Sequence, residues 1–262
     1  MKLSISNIAW IKEQDEQVYS RMREYGYSAL EIAPTRIFPE APYDHLEEAS
    51  SWAKQLKEEE GFDVSSMQSI WYGRQENIFR SKEDRDTLIE YTKKAVDFAA
   101  AVGCKNLVFG CPKNRTYTEG DDLKDAISFF KVIAEYALEK GTVIAMEANP
   151  PIYNTNYIND TASALKLIQE VDSEAFLLNL DMGTMIENKE GISILKGNVR
   201  YINHVHISEP YLKAIEKRGL HKELFKVLQE EDYSNYISIE MGRQEDLSVI
   251  EKTLAYVREI FG

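Results

Sequence analysis

Four residues that can ligate a metal or move a proton close four short apolar runs in the second half of the chain. The runs are 142–147, 176–181, 201–206 and 236–240, and they end on Glu147, Asp181, His206 and Glu240, spaced 34, 25 and 34 residues apart. Three carboxylates and an imidazole form a hard to borderline donor set that suits Mn²⁺, Mg²⁺, Co²⁺ or Zn²⁺. Any one of them alone has a plainer reading, because a carboxylate at a strand end is often paired with Lys or Arg. Four such ends together point to one centre for a single divalent ion.

The elements that must position these groups follow from the pattern around them. Each run is rich in aliphatic or aromatic residues and is followed within a few residues by Gly, Pro or Asn, the punctuation of a buried strand. The intervening segments have helical periodicity, so the spacing is that of successive βα units. Parallel strands carrying ligands at their C-terminal ends bring them to one mouth of a closed barrel. The first half repeats the alternation, with strands expected over 3–8, 29–34, 63–71 and 106–110 and helices over 13–25, 44–60, 82–102 and 121–139. Asp44 is the expected N-cap of the second helix, since its carboxylate can accept from first-turn amides. The second half adds helices over 160–171, 184–196, 213–229 and 245–260. Eight alternations without a linker predict an α/β chain, a single (β/α)8 TIM-barrel domain over 1–262. An open doubly wound sheet is the alternative, but no G-x-G-x-x-G follows the first strand.

Composition narrows the partners. The chain has 262 residues, is 44% hydrophobic and 29% charged, and carries a net charge of −13, which disfavours nucleic acid as a partner because such binders rely on a basic surface. No run approaches a membrane span, and residues 1–7 lack the features of a secretion signal. Two cysteines, Cys104 and Cys111, make no disulfide framework and indicate a cytoplasmic chain with reduced, inert thiols. The runs Glu47-Glu48 and Glu58-Glu59-Glu60 read as solvated helix faces, and His45 and His221 as surface residues. His204 precedes His206 by two, so it shares the interior face one layer deeper and reads as a core histidine.

The words Met146-Glu147-Ala148-Asn149-Pro150, Asn179-Leu180-Asp181-Met182-Gly183, His206-Ile207-Ser208-Glu209 and Ile239-Glu240-Met241-Gly242 resemble the sugar isomerase/epimerase group of the xylose isomerase-like TIM barrels. The resemblance covers essentially the whole chain. It implies a small carbohydrate or sugar phosphate as substrate and one divalent metal ion as cofactor. It further implies proton transfer through a metal-bound enediolate, with Glu147 and Glu240 as the acid/base pair and Asp181 and His206 as ligands only. Return of the proton to the opposite face of the carbon would epimerise, and transfer to the neighbouring carbon would isomerise. The chain departs from ketose epimerases at three substrate-holding positions, with Thr184 for a His, Leu212 (followed by Lys213) for an Arg, and Tyr153 for a second Glu.

The remaining candidates for substrate contact are Trp10, Gln68, Trp71, Lys113, Arg115, Asn149 and Glu209. Trp10 and Trp71 would wall a sugar's C–H face, with rim packing as the competing explanation. Lys113 and Arg115 would meet an anionic substituent, or form a solvated basic loop. Gln68 and Glu31 could bond hydroxyls, with an internal ion pair open for Glu31. Asn149 would orient the loop after Glu147, and Glu209 would bind a hydroxyl or brace His206. A dehydratase of an inosose-like or dehydroshikimate-like compound on the same scaffold is the alternative reaction. A non-catalytic sugar-binding barrel is the alternative from another class, although it has no use for the Glu147–Glu240 pair. Endonuclease IV chemistry needs several more histidines than the four present. Chains of this type often pair, which makes a homo-oligomer an open expectation.

Overall fold

The computed structural model describes residues 1–121 and 123–262. Eight parallel strands close into one barrel in chain order: β1 (Lys2–Ser6), β2 (Ala29–Ile32), β3 (Asp63–Met67), β4 (Leu107–Phe109), β5 (Ile144–Glu147), β6 (Phe176–Asp181), β7 (Ile202–Ser208) and β8 (Tyr236–Glu240). Closure comes from β1 against β8, with Lys2 opposite Tyr236 and Ile5 opposite Ile239. The period of two sorts the side chains. Leu3 and Ile5, Leu30 and Ile32, Val205 and Ile207, and Ile237 and Ile239 alternate with Ser4 and Ser6, Glu31, His204 and His206, and Ser238 and Glu240. The first set belongs to the apolar core beneath the helices. The second set fills the barrel axis, an unusually polar interior.

The helices are α1 (Asp15–Glu24), α2 (Pro34–Ile37), α3 (Leu46–Gln55), α4 (Lys82–Ala101), α5 (Leu123–Glu139), α6 (Thr161–Val171), α7 (Met182–Glu187), α8 (Gly219–Glu230) and α9 (Leu247–Phe261). Side-chain caps start several of them: Ser81 accepts from the Asp84 amide, Asp160 from the Ser163 amide and Asp246 from the Ser248 amide. Among the described residues no helix is long and apolar enough to cross a membrane.

Four expectations about local structure are revised. Asp44 does not cap α3: it pairs with Lys94 at 2.9 Å, and His45 occupies the capping position, half-buried and stacked on Phe38. The helix expected over 184–196 stops at Glu187, because Lys189 takes a left-handed φ of 57°. The helix expected over 213–229 begins only at Gly219, since the preceding segment is drawn to Glu209, which accepts from the Glu216 amide and from the Arg218 guanidinium. Of the helix expected from Asp121, Asp122 lies outside the described residues. His221, expected at the surface, is fully buried with its Nδ1 2.9 Å from the Tyr256 hydroxyl, and burial pulls its pKa down to about 4.

Candidate metal centre

Glu147, Asp181, His206 and Glu240 converge at the C-terminal ends of β5 to β8. One donor atom from each lies within 4.8 Å of the others. His206 Nδ1 is 3.0 Å from Glu147 Oε1 and 3.3 Å from Glu240 Oε2. The register explains the meeting: Asp181 sits opposite His206 across β6 and β7, and Ser208 opposite Glu240 across β7 and β8. His206 is fully buried, whereas Glu147 and Glu240 each retain 8% exposure, enough to be reached from the mouth.

Neighbouring groups hold each carboxylate in place. Glu147 Oε1 accepts from Asn179 Nδ2 at 2.7 Å and Oε2 accepts from Asn149 Nδ2 at 3.2 Å. Asp181 doubles as the N-cap of α7, its Oδ2 accepting from the Thr184 amide at 2.6 Å and hydroxyl at 2.8 Å. Its other oxygen accepts from the Ser208 hydroxyl. Gly110, after β4, leaves room for Glu147, because a Cβ there would stand 2.9 Å from Glu147 Oε2. Gly183 is likewise confined, with Ser208 Oγ 3.0 Å and Asp181 Oδ2 3.2 Å from such a Cβ.

The electrostatics are those of crowded buried anions. Burial raises the Asp181 carboxyl above its ordinary value, and Glu147 adds to the rise. Burial raises Glu240 as well, with His206 opposing. His206 goes far above the ordinary imidazole value: burial alone would lower it, but Glu31, Glu240 and Glu147 outweigh that. Three carboxylates around one imidazole therefore favour additional positive charge, and their donor types fit a divalent cation. These four residues would hold it.

A second layer lies beneath. Glu31 Oε2 is 2.8 Å from His206 Nε2 and 3.1 Å from His204 Nε2, and the three side chains are essentially inaccessible. Gln68 Nε2 donates to Glu31 Oε1 at 3.1 Å and also to the Ser6 hydroxyl. Burial opposes ionisation of Glu31, but the two imidazoles bring its carboxyl well below the ordinary range.

A cavity of about 500 Å³ opens over the centre between the loops after β3, β4 and β5. Gln68, Trp71, Lys113, Asn149, Glu147 and Glu240 all line it. Trp71 is anchored through its indole N–H to the Thr92 hydroxyl at 2.9 Å and packs edge-on against Phe109. A cavity of similar volume at the opposite end of the barrel, beside Lys2, Asp63 and Lys105, lies away from the carboxylates.

Three other candidates are placed elsewhere. Trp10 is buried, with its indole on Asp15 at 2.7 Å and its ring edge-on to Tyr19. Arg115 is fully buried and is bonded to the carbonyls of Tyr157 (2.6 Å), Ile158 (3.2 Å) and Glu147 (3.0 Å) and to Asn149 Oδ1 (2.6 Å). These bonds tie it to the β5 loop, off the lining of the cavity. Glu209 is clamped by Arg218, with Nε at 2.7 Å. Cys104 and Cys111 are pushed up to about 12 by burial, as expected of unreactive thiols.

Asn179 and Ser208 escaped sequence reasoning, as did the histidine partners of the internal ion pair left open for Glu31. Asn179 and Ser208 each lie two positions from a candidate ligand on the same strand face, which was the available signal. Tyr153, standing where ketose epimerases carry a second Glu, accepts a 2.8 Å bond from the Tyr211 amide. Burial pushes its hydroxyl up to about 12, with the Tyr211 amide opposing and the charges of Asp181, Glu240 and Glu147 adding to the rise.

Several solved structures share the architecture. The 3-keto-D-glucoside 4-epimerase of E. coli superposes with a TM-score of 0.79 at 22% identity, covering 99% of each chain. The D-psicose 3-epimerase of Clostridium cellulolyticum H10 gives 0.77 at 14% identity over 100% of this chain and 99% of that one. A sugar phosphate isomerase/epimerase of Parabacteroides distasonis gives 0.69 at 16% identity over 98% and 95%. No curated protein sequence matches the chain. Residues 19–260 match the profile of the xylose isomerase-like TIM barrel, and the protein belongs to that family.

Proposed function

We propose that the protein is a divalent-metal-dependent isomerase or epimerase of a small carbohydrate or its phosphate. The observation that carries this reading is the approach of two carboxylates, Glu147 and Glu240, to the same imidazole nitrogen at the floor of a sugar-sized cavity. The epimerases and the isomerase/epimerase that share the barrel add support for the substrate class.

A divalent cation bound by Glu147, Asp181, His206 and Glu240 would supply positive charge that stabilises negative charge growing on a substrate oxygen. The protein's own groups do the rest. Glu147, held at both oxygens by Asn149 and Asn179, is aimed to take a proton from the carbon beside a carbonyl. Glu240, beside the same His206 nitrogen and on the cavity lining, is the second carboxylate and delivers the proton. Delivery to the other face of the same carbon gives the epimer. Delivery to the adjacent carbon gives the isomer. Trp71 walls the cavity, Gln68 presents an amide, and Lys113 lines the rim without an ion-pair partner among the described residues.

The test is incubation of Mn²⁺-loaded protein in D₂O with ketoses, ketose phosphates and cyclic polyol ketones. The expected result is deuterium at one carbon of one substrate, abolished in Glu147→Gln and Glu240→Gln. Binding without exchange would identify a sugar-binding barrel, and loss of water from the substrate would identify a dehydratase.

A further inference from the structure

We infer that Glu31 is a positioning residue for the metal centre: from β2, on the other side of the barrel, it holds the His206 ring so that Nδ1 is the nitrogen offered to the cation. The inference rests on the metal reading of the site given above, and its own support is geometric. A ring nitrogen facing an ionised carboxylate must bear the hydrogen, because a carboxylate only accepts. His206 Nε2 lies 2.8 Å from Glu31 Oε2, so the hydrogen is placed on Nε2. The opposite nitrogen, Nδ1, faces Glu147 and Glu240, with the Asn179 amide 3.2 Å away, so it is the nitrogen a cation held by those carboxylates would meet, replacing any proton carried there in the metal-free chain.

Glu31 is itself fixed. Gln68 Nε2 bonds its Oε1 at 3.1 Å, and His204 Nε2 shares Oε2 at 3.1 Å. Glu31 has no exposure, and the chain Gln68–Glu31–His206 runs buried from just past β3 through β2 to β7. Partners of this kind orient a ligating imidazole and increase its basicity, and losing one typically weakens metal binding about 10–100-fold. His204 provides an internal control. It is equally buried and touches the same oxygen, but among the described residues its hydrogen bond runs to Glu31 and none runs to the carboxylates at the mouth.

The test uses Co²⁺ as the probe on the full chain, with affinity from chelator competition and stoichiometry from titration of the visible spectrum. Glu31→Gln, which conserves volume but not charge, is expected to weaken Co²⁺ about 10–100-fold while keeping the band shape of the four-ligand site. His204→Gln is expected to stay within about threefold of wild type, less than one tenfold step. In the unsubstituted protein loaded with Zn²⁺, long-range ¹H–¹⁵N spectra should show His206 protonated at Nε2, a readout that needs no variant to fold. Equal affinity of Glu31→Gln and wild type, equal losses in both variants, or a proton on Nδ1 would overturn the assignment. Two Co²⁺ per wild-type chain falling to one in Glu31→Gln would overturn it too, by making Glu31 a ligand. Failure of the unsubstituted protein to bind Co²⁺ would remove the metal centre itself, a result distinct from all of these.

Discussion

The two halves of the barrel treat buried polar groups in opposite ways. In β1 to β4 they satisfy one another: Ser4 bonds Ser65 at 2.6 Å, Asn106 bonds Ser66 at 2.9 Å, and Gln68 bonds Glu31. In β5 to β8 three carboxylates crowd one imidazole. The first half offers shape, because β4 is only three residues long and pairs with β3 at the single position Met67–Leu107, beside the loops that form the cavity wall. The second half supplies charge that its own side chains do not neutralise. The contrast assigns substrate enclosure to one half and reaction chemistry to the other, with Glu31 as the group that crosses between them.

The largest expected effect belongs to the charged half. Glu147→Gln and Glu240→Gln should each lower kcat by about 10²–10⁴-fold, the range of a lost acid or base, with sugar binding retained in calorimetry. An equal loss from Gln68→Leu would erase the distinction between the halves. Next is Arg115, which bridges them by tying the loop after β4 to the β5 loop. Replacement by Met strands several carbonyls and removes charge-assisted bonds, so denaturation should show a loss of about 3–5 kcal/mol. A substrate-binding Arg115 would instead raise KM and leave stability unchanged.

A smaller effect should follow metal loading. A divalent cation at about a hundred times its Kd adds about 2.7 kcal/mol and should raise Tm by roughly 5–10 °C in calorimetry. Asp181→Asn should blunt the gain, whereas Lys113→Ala in the enclosing half should not.

The smallest concerns the pH dependence of chelator-treated protein. The folded pKa of His206 is raised, so its stabilising contribution is complete below the ordinary value near 6.5 and is lost as pH rises through the elevated one. Asp181 and Glu240, also raised, act in the same direction. The Tm difference between wild type and His206→Asn should therefore shrink with rising pH, and a difference that grows would contradict the arrangement.

Legibility in the sequence divided along similar lines. Strand ends in β5 to β8 were readable because apolar runs closed by ligand-type residues fall at the pace of βα units. The substitution of a loop for helix over 213–218 was not, because it depends on the pull of Arg218 toward Glu209 across the fold. Arg115 illustrates the same limit. Its residue type and strand-end position suit a ligand contact, and only the tertiary placement of the Tyr157 and Glu147 carbonyls turns it inward. Asn179 and Ser208 were hidden for a different reason: neutral side chains advertise no chemistry until the carboxylates they hold are in place. Glu31 lies 173 residues from His204, so no local pattern links the two.

Anomalous diffraction from crystals grown with Mn²⁺ addresses the central claim most directly. The account predicts one strong peak per chain, enclosed by oxygens of Glu147, Asp181 and Glu240 and by Nδ1 of His206. A saturating Mn²⁺ soak with no peak there, or a peak bound by some other set of side chains, would contradict it.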